Sequence, residues 1–188
     1  MTWPFGDLKP LYAQLIVADP PWAFQTFSER GHAKSAHAHY NCMSLEEIKV
    51  LPVSYLASGD CLLFLWAIFP MLPQAFEVMS AWGFVYKSGG VWHKRTKNGR
   101  TAFGVGYRLR SAAEPWLIGT IGNPSTSRAH RNIIEGEVRE HSRKPEEAYR
   151  WLESYMPGAR RVELFSRQNR PGWLSWGAET GKFDEAVS

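Results

Sequence analysis

Two unbroken apolar runs constrain this chain more than anything else in it: QLIVA at Gln14–Ala18 and CLLFLWA at Cys61–Ala67. A strand wetted on one face alternates apolar with polar residues, whereas a run apolar throughout must be covered on both faces. Both runs therefore read as buried strands of a largely parallel sheet, whose crossovers are usually helices. Ser44–Val50 supplies one such helix. Ser44 is its cap, Glu46 and Glu47 lie in its first turn, and Leu45 and Ile48 are its apolar contacts.

The rest of the chain follows the same alternation. Pro70–Trp82 predicts a helix entered through prolines, and Gly83–Lys87 and Val91–Lys94 predict pieces of strand. Glu114–Ile121 predicts a strand with Pro115 near its start, where a missing N–H does least harm. The clearest helix is Lys144–Met156. Pro145 lies in its first turn, Glu146 and Glu147 at its positive end, and a Pro157-Gly158 stop follows. Arg161–Phe165 reads as a last strand. The pattern predicts an α/β fold, one domain over residues 1–188, with helices on both sides of the sheet. Two stretches without periodicity, Phe24–Tyr40 and Arg95–Tyr107, read as long loops, either lids or disordered.

Composition excludes several classes. A hydrophobic content of 44% with nine tryptophans is incompatible with a disordered chain. The longest apolar run, Cys61–Phe69, is far short of the roughly 20 residues that span a bilayer, so no membrane role is expected. Cys42 and Cys61 show no CxxC spacing and fit a reduced, cytoplasmic setting. The net charge of +4 is modest, but its distribution is not. From Val78 to Ala113 there are seven basic residues and no acid, and Glu114 is the only acid between Glu77 and Glu135. That block suits either a polyanionic partner or a merely solvated loop.

The first strand runs directly into Asp19-Pro20-Pro21-Trp22. In open α/β sheets ligands sit beyond the carboxyl ends of the strands, where the Asp19 carboxylate would project. The prolines lock the backbone and donate no N–H, leaving nearby carbonyls free to accept. A stiff row of acceptors beside an aromatic face matches an exocyclic amine on a flat heterocycle. Hydrogen bonds from the amine to Asp19 and the Pro20 carbonyl would stabilise charge growing on nitrogen as it attacks an electrophile. Trp22 would stack on the ring. At the far end of the chain, Arg161–Phe165 would present Glu163, Ser166, Arg167 and Asn169 at a strand's carboxyl end, groups suited to a ribose and an amino acid. Lys144 precedes a helix start, where a cation has no dipole reason to be and a ligand carboxylate would give it one.

These residues, with HYNCMSLEEI (His39–Ile48), LFLWA (Leu63–Ala67), WGFVYKSGGVWHK (Trp82–Lys94), EPWLIGTIG (Glu114–Gly122), EHSRKPEEAY (Glu140–Tyr149), ELFSR (Glu163–Arg167) and GWLSWGAE (Gly172–Glu179), make the chain resemble the MT-A70 family of adenine N6-methyltransferases. The resemblance implies a class I methyltransferase fold in permuted motif order, S-adenosylmethionine as methyl donor, and no metal. It implies that Asp19, Pro20, Pro21 and Trp22 form the catalytic motif. Ser142, Lys144, Glu163, Arg167 and Asn169, with Leu164 and Phe165 in the same segment, would hold the donor. Tyr40 would close over the substrate, and Trp92 and Lys94 lie on the substrate side. Arg95 and Lys97 extend that side as phosphate contacts, with Arg128 and Arg131 as further candidates.

One departure stands out. The family ends this region with Trp-Gly-Asn-Glu, whereas Ala178 follows Gly177 here, so a ribose contact is lost or supplied by Asn169. Phe5 to Leu8 are candidates to line the donor pocket. His32, His37 and His39 with Cys42 lack the ligands of a metal site, and FGVGYR lacks the third glycine of a dinucleotide loop. The expected activity is methylation of adenine N6 in nucleic acid, with DNA favoured over RNA. Cytosine N4 methylation and a silent nucleic-acid-binding partner subunit stay open. A second copy or a helper protein is a further expected partner.

Overall fold

The computed structural model describes residues 2–23, 43–106, 108–140 and 143–184. In chain order the elements are β1 (Ala13–Ala18), α1 (Leu45–Lys49), β2 (Ala57–Trp66), α2 (Leu72–Ala81), β3 (Val85–Arg95), β4 (Ala113–Ile121), β5 (Ile133–Glu137), α3 (Glu146–Tyr155), β6 (Arg161–Leu164) and β7 (Trp173–Trp176). The strands form one seven-stranded sheet in the order β5-β3-β4-β2-β1-β6-β7. It is an α/β fold, as expected, but the sheet is mixed. β1 lies parallel to both β2 and β6, whereas β4 runs antiparallel to β2 and β3.

Both apolar runs are covered on both faces. On one face Ile16 and Ala18 of β1 and Leu63 and Leu65 of β2 pack with Ile48 of α1 and Ala75, Val78 and Met79 of α2. On the other, Leu15, Val17, Leu62 and Phe64 pack with Ala148, Tyr149 and Leu152 of α3. The period of two in a strand sends alternate residues to opposite helical layers.

Local chemistry explains the boundaries. α1 opens with the expected Ser44 cap, and the Glu47 side chain returns a bond to the Ser44 N–H, closing a capping box. α3 begins at Glu146, because Pro145 is extended (ψ 146°) and acts as the N-cap. The two expected strand pieces are one strand, β3, with a register shift between Tyr86 and Ser88. Its Gly90 faces Trp116 across the ladder, and a Cβ there would collide with that indole and with the Asn132 carbonyl. The edge strands β5 and β7 lie outside the sequence expectation, being five and four residues long with few buried positions.

The stretch after Arg95, read from sequence as a lid or disorder, is largely a hairpin. The Gly99 N–H donates to the Thr96 carbonyl (2.8 Å) and the Ala102 N–H to the Lys94 carbonyl (2.8 Å). The stretch Phe24–Tyr40, with its three histidines, lies outside the described residues. Among the described residues no helix is long and apolar enough to cross a membrane.

Candidate active site

β1 ends at Ala18, and its last backbone link to β6 is the Asp19 N–H donating to the Leu164 carbonyl (3.4 Å). Asp19 thereby sits at the carboxyl end of the central strands, on the wall of a cavity open to solvent. Arg143, Lys144, Tyr149, Glu163, Phe165 and Arg167 share that wall with it, as do Gln168, Arg170 and Phe183. β6 also stops there. Phe165 takes a φ of 61°, left-handed and unusual for an aromatic residue, which turns the chain out of the sheet. Gly177 packs against the turned backbone of Ser166 so closely that no Cβ would fit.

The Asp19 carboxylate is paired but not sealed. Oδ1 lies 3.1 Å from the Lys144 ammonium, and the side chain keeps 22% of its surface exposed. Lys144 also pairs with Glu114, and Glu114 with Lys94 (3.1 Å), giving a chain of alternating charges, Asp19–Lys144–Glu114–Lys94. Trp66 lies beneath the Lys144 ammonium at 5.1 Å. Burial pushes the Asp19 carboxyl above its ordinary range and Glu114 adds to this, while Lys144 opposes it. Burial acts against the charge on Lys144 too, but Asp19 and Glu114 outweigh it and hold the ammonium above its ordinary value. For Glu114, Lys144 and Lys94 outweigh burial and keep the carboxyl low.

On the neighbouring strand, Glu163 accepts from the Tyr149 hydroxyl (2.6 Å) and the Ser166 hydroxyl (3.1 Å). Burial raises its carboxyl above the usual range. The Arg170 guanidinium stacks 3.5 Å from the Tyr149 ring centre and forks onto Glu146 (2.5 and 2.9 Å). Two carboxylates and four cations thus line one cavity, a composition that fits a ligand carrying both signs of charge. Nε of Arg143 and Nε of Arg170 are buried without an acceptor among the described residues, so the cations retain unused donors.

The structure changes the reading of several residues. Trp22 is 5% exposed in the core, and its indole N–H donates to the Trp66 carbonyl (3.2 Å), so no open face is left for stacking. The Pro20 carbonyl accepts the Trp22 N–H (2.8 Å) and the Pro21 carbonyl the Met43 N–H (3.3 Å), so neither is idle; each keeps one lone pair. Lys144 needs no ligand carboxylate to explain it, having two from the protein. Trp92 is a core residue, 3% exposed, with its N–H on the Gly136 carbonyl (2.9 Å). Lys94 and Arg95 neutralise Glu114 and Glu135, which leaves Lys97 as the exposed member of that trio.

On the donor side, Leu164 is fully buried, Phe165 lines the cavity, and Arg167 does so while pairing with Glu179 (3.2 Å). Asn169 turns away, its backbone and side-chain amides both donating to Asp184 (2.7 and 2.8 Å). Phe5 and Leu8 belong to the core instead of lining a pocket. Tyr40 and Ser142 lie outside the described residues. Sequence reasoning missed Glu114, Tyr149, Arg143 and Arg170. For Glu114 a signal existed: a single acid opening an apolar strand within a basic stretch.

A mixed α/β sheet with a paired aspartate at its carboxyl edge, sharing the lining of a charged cavity with a buried glutamate, has the architecture of a class I methyltransferase. The chain belongs to the MT-A70 family, whose sequence profile matches residues 13–179. It is 34% identical over 172 residues to an N(6)-adenosine-methyltransferase MT-A70-like protein of Arabidopsis thaliana, a match covering 87% of this chain and 23% of that one. It is 31% identical over 194 residues to the type II methyltransferase M.MunI of a Mycoplasma species, covering 93% and 81%. It is 29% identical over 173 residues to the human N(6)-adenosine-methyltransferase catalytic subunit METTL3, covering 87% and 27%. The chain thus spans about a quarter of the plant and human relatives and most of the Mycoplasma enzyme.

Proposed function

We propose that the protein transfers a methyl group from S-adenosylmethionine to the N6 amine of adenine in nucleic acid, DNA in the first instance. The placement of Asp19 carries this reading: a partly exposed carboxylate fixed at the end of β1, beside a cavity with charges of both signs. Its bond to the amine N–H draws the nitrogen toward a nucleophilic geometry and stabilises the positive charge that develops there. The Pro20 carbonyl, with one lone pair left, accepts the second N–H. Glu163, held by Tyr149 and Ser166, suits the hydroxyls of the donor's ribose, and the unused Nε donors of Arg143 and Arg170 suit its carboxylate. The donor supplies an electrophilic methyl on a sulfonium; the protein's part is alignment to within about 3–3.5 Å and exclusion of water.

The type II methyltransferase, matched over most of its own length, favours DNA, and the adenosine methyltransferases keep RNA as the second reading. The test is to incubate the protein with labelled S-adenosylmethionine and separate DNA and RNA substrates, then digest and identify the modified nucleoside. N6-methyladenine is expected, with Asp19→Ala slower by about 100-fold or more. No N6-methyladenine from any substrate, or an unimpaired Asp19→Ala, would overturn the reading.

A further inference from the structure

The hairpin joining β3 to β4 carries two kinds of side chain that seldom share an exposed turn. Lys97, Arg100, Arg108 and Arg110 are exposed, and the first three make no ion pair among the described residues. On the turn that follows Arg100, Phe103, Val105 and Leu109 are 62%, 71% and 84% exposed. Large apolar groups clustered in solvent mark a surface that meets a partner. The arm is not loose chain: the Gly104 N–H donates to the Ser111 carbonyl (2.8 Å), and the Arg110 guanidinium lies 5.0 Å from the Phe103 ring centre.

Where the arm is rooted indicates what it meets. The Lys94 N–H donates to the Ala112 carbonyl (3.0 Å), and the Lys94 ammonium pairs with Glu114, which shares Lys144 with Asp19. The arm therefore stands on the ion network that ends at Asp19. A second copy would set four cations against four. A neutral apolar protein face would leave those cations without partners. A nucleic-acid duplex offers phosphates for the cations and, once a base is turned out, an apolar gap in its stack.

We propose that Phe103, Val105 and Leu109 form a wedge that enters the base stack and fills the place of the turned-out adenine while the neighbouring cations hold flanking phosphates. The proposal rests on the adenine-methylating reading above. Extruding a base forfeits its stacking, and an apolar side chain in the gap restores contact to the neighbouring bases and bars the base's return.

The experiment compares the parent with the triple variant Phe103→Ser, Val105→Ser, Leu109→Ser on a DNA site that the parent methylates. The site is presented once as a paired duplex and once with the target adenine opposite an abasic position, already unpaired. Expected is a fall in kcat/KM on the paired duplex of about 10-fold or more, with the unpaired substrate within about twofold of the parent. With 2-aminopurine at the target, the fluorescence rise given by the parent should be lost.

Equal loss on both substrates, or none on either, would overturn the wedge. So would a parent dimer that the variant splits while both substrates suffer alike, which would assign the patch to a second copy. A parent that methylates only single-stranded RNA removes the wedge and leaves the adenine reading standing. A parent that methylates adenine nowhere removes that reading, and the wedge with it.

Discussion

Asp19 has two demands on it that pull apart. The proposed catalysis wants its carboxylate ionised and turned to the cavity, and folding would rather have it neutral, since burial holds its carboxyl above the ordinary carboxylate range. A group raised in the folded state contributes stability that is complete below its unfolded value and is lost as pH climbs through the folded one. Above that folded value the ionised Asp19 is a cost. Asp19→Asn should accordingly leave the thermal midpoint unchanged or higher while methylation falls by about 100-fold or more. A midpoint several degrees lower would show that the Lys144 pair outweighs desolvation. The acid limb of the parent's kcat/KM profile should lie above the ordinary aspartate range, because activity falls as Asp19 takes up its proton. Lys144 behaves in the opposite way. Removing it in Lys144→Met leaves Asp19 and Glu114 as neighbouring like charges and should cost about 3–5 kcal/mol in urea unfolding.

Among the elements, β3 is the one whose sequence most disguises its structure. Gly89 and Gly90 interrupt its apolar pattern, yet the strand runs through them because Trp116, opposite on β4, lays its indole in the room that a side chain would take. Gly90→Ala should destabilise the protein by about 1–3 kcal/mol or more, since the obstacles are a packed ring and a backbone carbonyl and neither swings aside. Gly59→Ala, where a Cβ meets nothing within 4 Å, is the control and should be near neutral in the same urea titration. Similar losses at both positions would show that the indole is not what sets the requirement for glycine.

Across the whole molecule, the positive charge seen in the sequence divides into two populations. Lys94 and Arg95 are consumed within the fold by Glu114 and Glu135, whereas Lys97 and Arg100 stand in solvent. Only the second population is free to displace counterions from a polyanion. The slope of log affinity against log salt should therefore flatten by about 2 when Lys97 and Arg100 are both changed to Gln, and hardly at all when Lys94 and Arg95 are. Equal flattening in filter-binding titrations would return Lys94 and Arg95 to the interface.

The sequence alone determined which segments must be buried and where the chain must turn. The two apolar runs demanded cover on both faces, Ser44 and Glu47 marked a helix start, and Asp19-Pro20 ended a strand at the edge where ligands gather. Such features are local, legible because a residue's period and its neighbours decide them. Only the tertiary structure decided that Lys144 meets Asp19 and Glu114, that Trp22 and Trp92 turn into the core, and that Tyr149 orients Glu163. It also supplied β5 and β7, whose short runs become strands only through the neighbours they pair with. Partners that far apart along the chain are set by the strand order of the sheet, and no periodicity in either segment records it.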